Sequence, residues 1–359
     1  MSDVALVVEG SYPYVTGGVS AWVQQLIEGL PDVSFSVVNL GEGGVQRYAR
    51  PANLERVVDL PSDPETGAIE SELPDALVYH ALATGAAGAA AGAAARVSGR
   101  KFVLSEHGIA WIEARFGIVG CNPHGKVAPE RIEAQARVAY RDAFAVTAVC
   151  PWGARRQAGL GARGVHVLQN AVPLATAREI DGGPPLVGFV GRVVAVKDIL
   201  GFLDACALVA AELPSARFAV IGPVDQEADY AERCVAHAAE LGLEVEFTGA
   251  ADPADWYPRL DALVLTSWSE AQPLVALEAM AAGVPVVATA VGGCAELLRG
   301  CGLVTRPGDS TATASAVLRL LREPGLRSTL THAARSRVER DHRPDALFSA
   351  FAELYEAAA

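Results

Sequence analysis

The sequence predicts an α/β protein built from two doubly wound, Rossmann-like domains. Three observations carry this. Short β-branched runs alternate with longer Ala- and Leu-rich stretches, and strand-then-helix repetition builds parallel sheets covered by helices on both faces. The chain has 359 residues, where roughly 150 is the soft expectation for one domain. The rhythm breaks once, at the turn-rich stretch Ala175–Pro185 with its Asp181-Gly182-Gly183-Pro184-Pro185 run, and then restarts.

Taken in order, the first half places strands at Val4–Val8, Phe35–Leu40, Arg56–Leu60, Ala76–Tyr79, Phe102–Ser105, Ala145–Val149 and Val165–Leu168. Helices are expected at Val19–Gly29, Ala83–Val97 and Pro129–Asp142. Ala83–Ala95 is almost entirely Ala and Gly. It reads as a helix with a small, tightly packing face, since a flexible linker would be more polar. Each glycine there costs about 1 kcal/mol of helix propensity. The second half places strands at Leu186–Val190, Arg217–Ile221, Glu244–Thr248, Ala262–Leu265 and Val284–Ala288. Its helices are Ile199–Glu212, Asp229–Leu241, Pro273–Ala282 and Ser310–Arg322. The domains therefore span 1–174 and 185–343, and a proline break leads into an amphipathic helix, Pro344–Ala358, within 344–359. Such folds bind ligands outside the carboxyl ends of their strands, so the site is expected in a cleft between the domains.

Composition excludes several functions. The chain is 51% hydrophobic and 20% charged, too apolar for a disordered protein. Its net charge of −13 argues against a nucleic-acid binder and against retention on anionic lipid by overall charge. Only three of the 29 basic residues are lysine (Lys101, Lys126, Lys197), an arginine bias that suits a high-GC genome and makes each lysine stand out. The opening MSDVALVVEG lacks a basic segment and a long apolar run, so no signal peptide is expected there. The apolar stretch Pro273–Ala295 contains Glu278, Pro285 and glycines and does not read as a membrane span. Six cysteines are scattered without a CxxC pair, which points to reduced thiols in a cytoplasmic protein rather than to zinc or disulfides. Arg155-Arg156 and the group Arg335, Arg337, Arg340 and Arg343 are candidate lipid contacts, but solvated helix faces are the favoured reading.

Four constellations fall at strand-to-helix junctions. In Glu9–Ser20 (EGSYPYVTGGVS), Gly17 and Gly18 let the backbone approach a ligand, and the following helix start offers N–H donors to an anion. An ordinary turn with left-handed glycine explains the same residues equally well. In GRVVAVKD, Arg192 and Lys197 lie five apart after a strand and can converge on a diphosphate, the one forking onto oxygens and the other adding a compact charge. In SEAQPLVALE, Glu270 sits in a loop and Glu278 in an apolar helix, where a carboxylate needs polar partners; vicinal ribose hydroxyls would serve. The N–H groups around Ala271, Gln272, Pro273, Leu274 and Val275 face a phosphate in this reading, with Pro273 in the first helical turn. A helix-start glutamate plus one buried salt bridge is the alternative. In VLSEHG, His107 follows Glu106 at a strand end facing the cleft, and His80 ends a neighbouring strand. A lone histidine is more often structural.

Together these motifs (Glu270-x7-Glu278, GRxxxxKD, GGV and SEHG) resemble the family-4 retaining glycosyltransferases of GT-B fold, in which two Rossmann-like domains face a central cleft. The wording of EGSYPYVTGGVSAWVQQLIEGLP, VYHALATGAAG, SEHGIAW and LTSWSEAQPLVALEAMAAGVPVVATAVGG is similar to the PelF-like subgroup of exopolysaccharide synthesis, and the resemblance covers nearly the whole chain. It implies that Arg192 and Lys197 bind the donor diphosphate, Glu278 the ribose and Glu270 the transferred sugar. It also implies that the Gly17–Gly18 loop closes over the phosphates and that His107 orients sugar or acceptor, with Tyr14, His80 and Glu106 on the acceptor side. Catalytic roles fall to Arg192, Lys197, Glu270 and His107. The C-terminal helix would cross back to the first domain. The co-substrate would be a UDP-sugar, with no metal or other cofactor expected.

Two departures stand out. The stretch Leu60–Pro74 is shorter than in the subgroup, and Ala271 replaces a frequent glycine. A compact acceptor half suits a small-molecule or secondary-metabolite acceptor, with an exopolysaccharide acceptor as the alternative. A GT-B sugar phosphorylase or epimerase and a non-catalytic nucleotide-sugar-binding subunit are the other readings. A phosphorylase needs no ribose clamp, and intact Arg192, Lys197, Glu270 and Glu278 speak against loss of catalysis.

Overall fold

The computed structural model of the chain describes residues 1–62, 72–115, 127–176 and 182–359. Part of the shortened Leu60–Pro74 stretch, part of the Ala175–Pro185 break, Cys121 and Lys126 lie outside them. Two parallel-sheet α/β units are present. The described residues up to Asn170 form one unit together with Pro344–Ala359, and Ala171–Arg343 belongs to the other.

In the first unit the strands are β1 (Ser2–Glu9), β2 (Phe35–Leu40), β3 (Leu54–Leu60), β4 (Ala76–Ala81), β5 (Lys101–Glu106), β6 (Ala145–Ala148) and β7 (His166–Val167). They pair in the order β3-β2-β1-β4-β5-β6-β7, every ladder parallel. Helices α1 (Gly18–Gly29), α2 (Ala86–Ser98), α3 (Ala110–Arg115), α4 (Pro129–Asp142) and α5 (Pro151–Gly159) connect them. The centre of β1 is a continuous apolar run because both faces are covered; Val4 to Val8 are all buried. The Ala/Gly run forms α2. Its glycines are what let it pack: a Cβ on Gly88 would stand 3.0 Å from Ala83 O and 3.3 Å from the Ala139 Cβ of α4.

In the second unit the strands are β8 (Leu186–Val190), β9 (Arg217–Ile221), β10 (Val245–Phe247), β11 (Ala262–Leu265), β12 (Val286–Thr289) and β13 (Leu303–Thr305). Their order is β10-β9-β8-β11-β12-β13, again all parallel. Helices α6 (Ile199–Glu212), α7 (Ala228–Glu240), α8 (Leu274–Ala281), α9 (Cys294–Leu297), α10 (Ser310–Arg322) and α11 (Pro324–Asp341) complete it. The last helix, α12 (Pro344–Ala358), packs in the first unit, where Tyr355 and Phe351 are buried.

Predicted elements match to within three residues at each end. Five others were not expected: α3, α5, α9, α11 and β13. The 18-residue α11 hides because it is rich in Arg, Ser and Thr and buries only Leu330, Ala334 and Val338, a stripe spaced by four. Two of its arginines correct the view of that group as one solvated face. Arg335 donates to Ala281 O at the end of α8 and to Ala175 O at 3.0 Å. Arg337 donates to Leu297 O at the end of α9, at 2.6 Å. Cations at helix C-termini satisfy orphan carbonyls and complement the helix dipole. Arg335→Ala is therefore expected to lower stability by about 1–2 kcal/mol in urea unfolding, whereas Arg340→Ala, whose partner is the exposed neighbour Asp341, changes it by less than about 0.5. Among the described residues no helix is long and apolar enough to cross a membrane, and the five described cysteines are buried and form no disulfide.

Candidate functional site

In the second sheet the strand order reverses between β8 and β11, and such switch points open a crevice at the strands' carboxyl ends. Both chemistry-bearing loops of this unit leave from there: Gly191–Asp198 after β8 and Thr266–Pro273 after β11.

Backbone close approach shapes the first loop. Gly191 N donates to Ile221 O at 2.9 Å, and a Cβ on Gly222 (φ +146°) would stand 2.0 Å from Gly191 O. Ala195–Lys197 is a single 3-10 turn. Asp198, left-handed at φ 51°, then caps α6 by accepting from Gly201 N at 3.2 Å. The second loop is laced to the first. Thr266 Oγ1 donates to Lys197 O (3.1 Å) and Asp198 O (2.8 Å), and Trp268 N donates to Val196 O at 2.8 Å.

This lacing brings Lys197 Nζ to 2.6 Å from Glu270 Oε1, with side chains 20% and 9% exposed. Ser267 Oγ donates to the same oxygen at 2.7 Å, and Thr289 Oγ1 holds Ser267 O at 2.6 Å. Arg192 is held elsewhere, by Gln226 Oε1 at 2.7 Å, so the two cations have separate protein partners. The Glu270 turn is backed by Gly292 and Gly293. Gly293 N donates to Ala271 O at 2.8 Å, and a Cβ on Gly292 (φ +53°) would fall 1.4 Å from Glu270 O. Gly292→Ala is expected to lower stability by roughly 2–4 kcal/mol, because the turn must move. Gly300→Ala, also left-handed (φ +75°) but in open space, costs only about 1 kcal/mol. Urea unfolding of both variants checks the contrast.

Helix α8 begins at Leu274, with Pro273 just outside it at φ −69° and ψ 121°. At a helix start the N–H groups of Leu274 and Val275 have no intrahelical acceptor. Ala271 and Gln272 are buried. Glu278, on the same helix, accepts from Tyr257 Oη at 2.5 Å. Burial raises the Glu278 carboxyl above its ordinary range; the Tyr257 bond opposes this and Asp252 adds to it.

The first unit divides the remaining candidates. His80 is fully buried and satisfied on both sides, Nδ1 by Tyr355 Oη and Nε2 by Ser105 Oγ, each at 2.7 Å. Burial pushes its pKa down to about 3. It joins α12 to the sheet, a packing role in place of the expected acceptor-side one. Glu106 is also turned inward. Its carboxylate accepts from Thr84 Oγ1 (3.2 Å), Gln157 Nε2 (3.0 Å) and Tyr140 Oη. Burial nonetheless pushes its pKa up to about 7. His107 differs from both. The residue as a whole is only partly buried, but its ring packs on Trp22 (centroids 4.3 Å) and its Nε2 is buried without a hydrogen-bond partner. Burial lowers its pKa to about 4, so the ring is neutral at pH 7.

Tyr14 donates to Asp59 Oδ2 at 2.8 Å on an exposed face. Gly17 is extended (φ 175°) and donates to Tyr48 Oη at 3.4 Å, so the turn reading with left-handed glycine does not hold there; the left-handed residue nearby is Gly10. A Cβ on Gly18 would meet nothing within 4 Å.

Sequence reading missed Tyr257, Thr266, Ser267, Thr289 and Gly292. Ser267 lies three residues before Glu270, a spacing that could have marked it. Nothing local links Tyr257 to Glu278, 21 residues on.

The architecture is GT-B. The sucrose-phosphate synthase of Thermosynechococcus elongatus superposes over 99% of both chains with a TM-score of 0.82 at 20% identity. Anabaena HepE in complex with UDP and glucose does so with 0.80 at 20% identity, covering 99% of this chain and 100% of that one. Residues 184–323 match the family model described as glycosyl transferases group 1. Residues 2–68 and 63–164 match a domain of unknown function (DUF3492). A D-inositol 3-phosphate glycosyltransferase of Frankia alni is 36% identical over 167 residues, covering 43% of this chain and 41% of that protein. The chain spans about half the length, or less, of the curated relatives it matches.

Proposed function

We propose that the chain is a retaining, metal-independent glycosyltransferase of family 4 that moves a sugar from a UDP-sugar to a hydroxyl or amine of a small acceptor in the cytoplasm. The observation that carries this reading is the Lys197–Glu270 pair, flanked by the start of α8, at the carboxyl ends of β8 and β11. The group 1 match spans all of these donor residues. HepE, of the same fold, is a UDP binder by its description.

Each residue then has a task. Lys197 and Arg192 take up charge that develops on the leaving diphosphate, and the first N–H groups of α8 add to them. That set of cations and dipoles can do the work a metal does elsewhere. Glu270 accepts from hydroxyls of the transferred sugar, and Glu278 from the ribose. The attacking acceptor enters on the face the leaving group vacates, and a donor phosphate oxygen takes its proton, so the anomeric configuration is kept. On this reading a bound sugar reaches the buried, unpartnered Nε2 of neutral His107, which accepts from or donates to a hydroxyl according to its tautomer.

The test is a donor screen. A true donor raises the melting temperature by mass action, and turnover releases UDP with the product's anomeric configuration readable by NMR. No shift with any UDP-sugar, or incorporation of inorganic phosphate in place of UDP release, would overturn the reading.

A further inference from the structure

Tyr257 belongs to no motif that marked the site. It lies in the 3-10 turn Tyr257–Arg259 ahead of β11, is 5% exposed, and spends its one hydroxyl on Glu278 Oε2 at 2.5 Å. Glu278 is flanked on α8 by buried Leu277 and Ala279. Asp252 contributes only repulsion to it. A carboxylate in such surroundings, left alone, is free to turn about its last torsion. The phenol removes that freedom and fills one lone pair of one oxygen. Among the described residues the other oxygen, Oε1, has no protein partner.

We propose that Tyr257 is a positioning residue for the nucleotide's ribose: it holds the Glu278 carboxylate in the orientation in which Oε1 and the remaining lone pair of Oε2 accept from the two vicinal hydroxyls. This rests on the reading of Glu278 as the ribose clamp. A carboxylate has about four acceptor positions, and one donor from the protein leaves enough for a diol. The geometry also separates the two ends of the donor. Glu270 is gripped by a cation that the diphosphate can share, while Glu278 is gripped by a neutral donor that competes weakly with its ligand.

The experiment is calorimetric titration of UDP and of 2′,3′-dideoxy-UDP into the wild-type chain, Tyr257→Phe, Glu278→Gln and the double variant. The wild type is expected to prefer UDP by about tenfold or more. Tyr257→Phe is expected to lose most of that preference by weakening UDP alone, with dideoxy-UDP affinity unchanged. The double variant is expected to lose no more than Glu278→Gln does. If Tyr257→Phe discriminates as well as the wild type, or weakens both nucleotides equally, the positioning role is overturned while the ribose clamp stands. If the wild type itself shows no preference, the clamp reading fails, and the inference with it. Should Tyr257→Phe not fold, wild-type-like discrimination by Glu278→Gln overturns both.

Discussion

Lys197→Ala is expected to abolish sugar transfer, lowering kcat by about a thousandfold or more with every donor the wild type uses. Two losses combine. On the proposed reading, the leaving diphosphate loses a compact cation at the strand switch point. Glu270, 9% exposed, is left with the Ser267 hydroxyl as its described hydrogen-bond donor. Breaking a buried pair by removing one member is strongly destabilising, up to about 3–5 kcal/mol when both are fully desolvated; Lys197 is one-fifth exposed, so a smaller loss is expected. Initial rates of UDP release and urea unfolding separate the two effects. Lys197→Arg keeps the charge but replaces a point cation with a planar fork, and partial activity is expected. Lys101→Ala is the control. That lysine lies over the Phe144 ring, 4.4 Å from its centroid, and its loss should leave the rate unchanged. Unaltered turnover by Lys197→Ala would remove the basis of the functional reading.

Glu106→Gln is expected to change the pH dependence of stability. In the folded chain burial pushes the Glu106 pKa up to about 7, against an ordinary value of 4.5. Between those values the folded state holds a proton that the unfolded state has lost. Stability from this group is therefore present at low pH and is lost as pH rises from about 4.5 through 7. His80 and His107 act in the opposite direction. Their folded pKa values of about 3 and 4 lie below the ordinary 6.5, so their contribution is lost as pH falls below 6.5. A single wild-type curve mixes these trends, and the difference between wild type and variant isolates Glu106. From pH 5 to pH 8 that difference should move by roughly 2–3 kcal/mol in the variant's favour. The substituted amide is neutral at every pH. Urea unfolding at four pH values suffices, and a difference independent of pH would refute the argument.

Much of the fold was legible because its signals are local. A parallel strand covered on both faces must be a short apolar run, and a glycine-rich loop followed by an amphipathic stretch must turn into a helix. The positions proposed to bind the donor were marked for the same reason: Arg192, Lys197, Glu270 and Glu278 sit at fixed offsets from such runs. Where local signals mislead, the structure departs from expectation. His80 and Glu106 look like site residues because both stand at strand ends close to His107 in the sequence or the sheet. Their side chains point inward, to partners on α12, α4 and α5 and in the turn before α2 that no strand-end pattern reveals. Helix α11 was missed because its apolar stripe is only three residues wide and its other anchors are arginines reaching carbonyls of α8 and α9.

By itself, then, the sequence determined that two parallel sheets form and that cationic and carboxylate loops leave the ends of particular strands. Alternation of β-branched and helical runs is a property of neighbours along the chain, and it survives without knowledge of the fold. Tertiary structure alone decided which polar groups meet. Lys197 reaches Glu270 across 73 residues because β8 and β11 are adjacent in the sheet though far apart in sequence, and Tyr257 reaches Glu278 across 21 because the helix that follows β11 meets the turn that precedes it. Hydrogen bonds need about 3 Å and a buried charge needs a partner, so pairing follows sheet order rather than chain order. Lysine scarcity drew the eye to Lys197; the strand order gave that lysine its carboxylate.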